Sequence, residues 1–211
     1  MSVLRKKYQL PIIAELTHIN IDLLRLQTEC DKFAYKFTNV ISANPALCMN
    51  HAELVSKVYE TFEQINLTTI IGQPMEYTNN IKERIRRKEE TMYNEETTDY
   101  KNSYFREIVS QFNAPAMRIR ITKLAAGKHI PYHIDYDPSY ATRIIVPIYT
   151  TPDVENRFVI KNKEVTYYLE AGKAYFLNTG FRHAVYNNSN SPRIALMFSL
   201  DGQDDLENIS N

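Results

Sequence analysis

Residues 133–143 read HIDYDPSYATR, so a histidine, two aspartates and an arginine fall within eleven positions. On an extended strand residues i and i+2 point the same way, so His133 and Asp135 present an imidazole and a carboxylate on one face. Such a pair can share a metal ion, but it needs a third ligand from a distant strand. Of the five histidines, at 18, 51, 129, 133 and 183, only His183 lies late in the chain, after the turn NTGFR. Two histidines and one carboxylate on one triangular face leave coordination positions open, the arrangement that suits non-haem Fe(II) and O₂ chemistry. Arg193 follows ten residues after His183, across AVYNNSNSP. A hairpin of that length returns its guanidinium beside the metal pocket, where it could bind a carboxylate through two parallel hydrogen bonds.

The elements that must hold these groups are read from periodicity. From Ala114 onward the chain consists of short strand-like runs, the cleanly alternating 116–124 and then 143–150, 156–162, 164–170, 173–178, 183–188 and 193–200, separated by turns such as AAGK, TPDVE, AGK and NSNSP. Closely spaced short strands imply a sandwich or barrel, and the gaps are too short for the crossover helices of a parallel sheet. The front part carries helix signals. Residues 20–33 have Asn20 as a candidate cap before Leu23, Leu24, Leu26 and Cys30. Residues 50–65 place Asn50 and Glu53 as a capping box ahead of Leu54, Val55, Val58, Phe62 and Ile65 on one stripe. Residues 98–112 read as a further helix, and the charged segment 79–96 as a solvated helix face or a lid.

The totals bound the class. The 211 residues suit one domain: a mainly helical part over 1–112, a strand-built core over 113–203 carrying the metal site, and a flexible tail over 204–211. Twenty-five basic residues balance twenty-five acidic ones, which argues against a general nucleic-acid binder despite the run KERIRRK. Two cysteines, Cys30 and Cys48, do not make a disulfide framework. No stretch approaches the roughly 20 apolar residues of a membrane span. The expectation is a cytoplasmic protein.

The spacing His-x-Asp, about fifty residues, His, ten residues, Arg, together with PYHIDYD, TRIIVPI and YYLEAGKAYFLNTGFRHAVYNNSNSPRIALMFSLD, resembles the Fe(II)/2-oxoglutarate-dependent oxygenases. Within them it is most similar to the aspartyl/asparaginyl β-hydroxylase-like group, which includes free-proline hydroxylases. The similar stretch runs from about Met117 to Asp201, some 40% of the chain. The resemblance implies an α+β fold, a double-stranded β-helix (a cupin-like jelly roll) with the N-terminal helices packed on it. It implies Fe(II) held by His133, Asp135 and His183, and 2-oxoglutarate held by Arg193 with Arg143. It also implies O₂-dependent hydroxylation of an unactivated C–H of a free or peptide-bound amino acid, with release of succinate and CO₂. Some members of the group lack the metal carboxylate and keep a second histidine two residues after the first arginine; this chain has Asp135, and Ile145 at that place. Related halogenases replace the carboxylate with a small residue, so Asp135 favours hydroxylation. The alternatives are a cupin-like metalloenzyme that does not use 2-oxoglutarate, in which Arg193 has no task, and a non-catalytic β-barrel binding module.

Several nearby groups have two readings. His129 and Asp137 share parity with the triad and could reach it or lie on an exposed rim. Arg118 and Arg120 share one face of MRIRI; they could hold a substrate carboxylate if that face lines the barrel, or lie on an exposed face. Asn187 reads as a turn residue that also orients the site. Tyr132, Tyr136 and Tyr149 are near enough in sequence to line a pocket.

Overall fold

The computed structural model describes residues 4–39, 62–70, 89–207 and 209. Thirteen strands are described: β1 (Ile13–Glu15), β2 (Thr38–Asn39), β3 (Phe62–Asn66), β4 (Thr68–Ile70), β5 (Tyr93–Glu96), β6 (Ala116–Leu124), β7 (His129–His133), β8 (Thr142–Tyr149), β9 (Val154–Ile160), β10 (Lys163–Tyr167), β11 (Tyr175–Leu177), β12 (Arg182–Asn187) and β13 (Arg193–Leu200). They form a seven-stranded sheet in the order β1-β11-β8-β13-β6-β3-β2, a four-stranded sheet in the order β10-β9-β12-β7, and the small pair β4-β5. All of these pairings are antiparallel, as the short connections require.

The large sheet is covered on both faces. Ile144, Val146, Leu196, Phe198, Ile119 and Ile121 point to one side. There they bury against α1 (Leu23–Lys32), through Leu26 and Cys30, and against α3 (Tyr104–Val109), through Phe105 and Ile108. On the other side Ile145, Tyr175, Leu177 and Ala195 pack with Phe158 of β9, joining the two sheets. Burial on both faces explains why TRIIVPI is apolar almost throughout instead of alternating. Turn chemistry behaves as the sequence predicts at Gly127 and Gly172, with φ of +68° and +77°. Lys161 and Asn162 also take positive φ and close the β9–β10 hairpin in two residues, the twist that a tight hairpin needs.

Four expectations change. Helix α1 begins at Leu23, and its cap is Asp22, whose carboxylate accepts from the Arg25 N–H at 3.0 Å; Asn20 lies outside it. The single helix expected over 98–112 is two: α2 (Thr98–Lys101), capped by Thr97, and α3, capped by Ser103. The expected helix over 50–65 falls mostly outside the described residues, but Phe62–Asn66 is a strand inside the large sheet. Its side chains on the sheet's inner face include Gln64 and Asn66, so the apolar residues alone mimic a helical stripe. The front part is therefore not mainly helical among its described residues, since it supplies β1 to β5.

Among its described residues, 204–207 and 209, the segment expected as a flexible tail docks through Asp205 and Leu206. Leu206 is fully buried, and the Asp205 carboxylate accepts backbone N–H bonds from Asn113 and Ala114 at 2.9 and 3.0 Å. Leu206→Ala is expected to cost about 2–5 kcal/mol and Asp205→Ala about 1–3 kcal/mol. Urea denaturation followed by circular dichroism measures both, and unchanged midpoints would mean the segment does not dock.

Candidate metal centre

β12 lies between β9 and β7, and His183 sits opposite His133 on one side and Phe158 on the other. The register between β7 and β12 slips just before His133, with His183 opposite His133 but Val185 opposite Ile130. The extra residue falls at Pro131–Tyr132. Pro131 has no N–H to donate, so a bulge on this outer strand of the four-stranded sheet accommodates it. The bulge turns the Pro131 carbonyl toward the His133 Nδ1, at 2.8 Å. His183 repeats the device, with Nδ1 2.9 Å from the Phe181 carbonyl. A carbonyl can only accept, so each Nδ1 carries the proton and each Nε2 keeps its lone pair, the tautomer a metal ligand needs.

Asp135 comes from beyond the strand, which ends at His133. It reaches the same side because its N–H donates to the Thr179 carbonyl at 3.0 Å, which pins the loop across the sheet. The ligand atoms of His133, Asp135 and His183 all lie within 4.8 Å of one another. His183 is buried, and the other two are half-buried. The Asp135 carboxylate is 3.8 Å from His133 Nε2 and 3.6 Å from the Arg143 guanidinium. Burial would raise its pKa, but Arg143 and the two histidines outweigh that and hold it well below the usual carboxylate range. Burial and the neighbouring His133 push the His183 pKa down to about 4. An anionic carboxylate and a neutral buried imidazole are the protonation states that bind a divalent cation.

Both sequence-selected arginines lie on the large sheet. Arg143 is 5% exposed and stands between Asp135 and Glu90, with its Nη1 lacking a hydrogen-bond partner. Arg193 is 4% exposed, and its one described polar contact is a 3.4 Å donation to the Thr122 hydroxyl. Among the described residues no carboxylate pairs with Arg193, and burial alone draws its pKa down to about 10. Asn187 fixes the hairpin that returns the chain to Arg193: its Nδ2 donates to the Leu124, Ala125 and Ser191 carbonyls.

Other candidates are structural. Asp137 accepts from the Ser139 N–H and hydroxyl within its own turn and is not part of the triad. His129 is exposed and stacks on Tyr186 at 5.1 Å. Tyr132 bonds Glu164, Tyr149 bonds Asp31, and Tyr136 packs with Met117 and Ala141. Sequence reasoning missed Glu90. It is completely buried, with its carboxylate against Arg118 and 2.8 Å from the Ser199 hydroxyl. Burial would raise its pKa, yet Arg118 and Arg143 bring it down to about 2. Glu90 hides among charged neighbours, and only the arginine pair on separate strands could have hinted at it.

Residues 76–201, more than half of the chain, match the family described as aspartyl/asparaginyl beta-hydroxylase. The chain belongs to that family. It therefore carries a hydroxylase-type oxygenase domain. No curated protein matches the sequence. Among solved structures, it is similar to an oxidoreductase of the 2OG-Fe(II) oxygenase family from Burkholderia pseudomallei, at 11% identity over 83% of this chain and 77% of that one, with a TM-score of 0.46. A cupin domain from Bordetella pertussis shares 17% identity over 44% of this chain and 88% of that one, with a TM-score of 0.34. Among the described residues, no helix is long and apolar enough to cross a membrane.

The depressed His183 pKa has a measurable consequence. In the unfolded chain this histidine titrates near 6.5, so between about pH 4 and 6.5 the unfolded state binds the extra proton. Its contribution to the stability of metal-free protein should rise as pH rises through that window and stay flat above it. Urea midpoints at stepped pH are expected to show this slope in the native chain and a shallower one in His183→Gln. Equal slopes would place the His183 titration at its ordinary value.

Proposed function

We propose that this oxygenase-family chain is an Fe(II)- and 2-oxoglutarate-dependent hydroxylase acting on a free or peptide-bound amino acid, its two main sheets forming a double-stranded β-helix. The observation that carries the reading is the convergence of two Nε2 lone pairs and one carboxylate within 4.8 Å, each imidazole oriented by its own backbone carbonyl. The donor set fits Fe(II): two neutral imidazoles and a carboxylate suit it, and three ligands leave positions for a co-substrate and O₂.

His133, Asp135 and His183 would hold the iron, which when bound supplies the O₂ activation and oxidative decarboxylation that yield succinate, CO₂ and a hydroxylated product. The residues of this chain do the rest. Arg193 offers a buried, permanently charged fork to the far carboxylate of 2-oxoglutarate, and Thr122 orients that fork. Arg143, already beside Asp135, would steady the metal carboxylate, and its Nη1, 3.9 Å from Glu90 and without a hydrogen-bond partner, would be available to the co-substrate. The apolar packing of Ile145, Phe158 and Tyr175 shields the His183 side of the site from bulk water. The amino-acid substrate is inferred from the family resemblance.

Anaerobic addition of Fe(II) and then 2-oxoglutarate should give a weak visible charge-transfer band. His183→Ala is expected to abolish iron binding. Arg193→Gln should keep the iron and weaken 2-oxoglutarate binding about 10–100-fold, the loss expected for a charge-assisted pair. Iron bound without the band would instead support a cupin-like metalloenzyme, and no bound iron a binding module.

A further inference from the structure

The arginines around Glu90 do not balance. Arg118, on β6, contacts the Glu90 carboxylate directly, and Arg143, on β8, approaches it at 3.9 Å. Ser199, on β13 between those strands, donates to its other oxygen. One carboxylate thus serves two guanidinium groups. A third, Arg120, lies two residues along β6 and is 7% exposed. Its described hydrogen bond is a donation from Nη1 to the Arg118 carbonyl at 3.1 Å, and among the described residues it forms no ion pair with a carboxylate.

The backbone builds this arrangement. Between Met117 and Arg120 the β6–β13 register slips, Ser199 lying opposite Met117 and Met197 opposite Arg120. Arg118 occupies the slip with φ of +51°, a left-handed conformation that a non-glycine residue adopts only when its surroundings impose it. The bulge keeps Ile119 and Ile121 on the helix-covered face. Arg120 therefore takes the opposite face, in one row with Met197 and Ile145. That face also carries Arg143, whose guanidinium meets Asp135 of the metal triad.

A buried guanidinium is strongly disfavoured unless an anion accompanies it. Burial pushes the Arg120 pKa down, and Arg118 and Arg143 add to that against the opposing pull of Glu90 and Asp135, neither of which pairs with it directly. We propose that Arg120 is a second anion receptor, distinct from Arg193, that binds a carboxylate of the primary substrate beside the metal. Carboxylate is the chemistry of choice because the adjoining arginines already hold one, from Glu90, and because a planar fork pairs with a planar carboxylate in two parallel bonds. Glu90 then acts as the fixed counter-ion: it satisfies Arg118 and draws on Arg143, so that the surplus charge falls on Arg120. The assignment of the anion to the primary substrate rests on the oxygenase reading above; the receptor itself does not.

The test uses the full chain and sodium acetate, the smallest stable carboxylate with a methyl stem. Arginine Nε–H resonances are followed by nitrogen-15 NMR, first without metal and then with Fe(II) and 2-oxoglutarate under nitrogen. A saturable shift of the Arg120 resonance is expected in both states, and it should persist in Arg193→Gln. Acetate binding should weaken about tenfold or more in Arg120→Gln, and also in Arg120→Lys, which keeps the charge and loses the fork. No saturable shift in the folded native chain, or undiminished binding in both variants, would overturn the receptor. Loss of the acetate response once 2-oxoglutarate is bound would show that Arg120 belongs to the co-substrate instead. Inorganic phosphate binding more tightly than acetate would overturn the carboxylate class. Failure of the iron reading shows separately, as a missing charge-transfer band with the metal-free titration intact.

Discussion

Charge brought into a low-dielectric interior is the constraint around which this molecule is arranged. Arg120, Arg143, Arg193 and Glu90 are all more than nine-tenths buried. Isolated, each would take a large share of the stability of an ordinary protein. The structure meets the constraint only in part. Glu90, which accepts from the Ser199 hydroxyl, contacts Arg118 and draws in Arg143, and Arg143 in turn touches Asp135. Arg193 and Arg120 are left without a carboxylate among the described residues. That remainder is positive charge buried on the sheet face that also carries Arg143, the neighbour of Asp135.

The two main sheets divide the work. The four-stranded sheet supplies both histidines from neighbouring strands, and the seven-stranded sheet supplies the guanidinium groups. Asp135 belongs to neither. It is a loop residue tied to Thr179, and its carboxylate connects the histidines with Arg143. A site assembled across two packed layers can be rigid because each layer is held by its own ladder and core. Phe158 illustrates the coupling, since it packs in the shared apolar cluster and stacks 5.5 Å from the His183 ring.

Two irregularities of backbone re-aim side chains where regular pleating would not. The slip at Pro131 turns a carbonyl onto His133, and the slip at Arg118 sets Arg120 opposite the apolar residues around it. Each places an extra residue in a ladder at the site, where it directs a functional group. The price is a left-handed arginine. It is met by the contact between its guanidinium and Glu90.

What the sequence determined by itself was local. His-x-Asp, the distant His183 and Arg193, the alternation of β6, and the turn glycines are all readable because a strand has period two and a tight turn needs particular residues. Tertiary structure alone decided the rest. Phe62–Asn66 became a strand because Gln64 and Asn66 face a polar interior, and there hydrophobic periodicity carries no signal. Asp135 joined the histidines through a loop hydrogen bond, not through the strand that its spacing suggested. Glu90 could be recognised only once Arg118 and Arg143 had been brought to it from β6 and β8, because the worth of a buried charge depends on its neighbours in space.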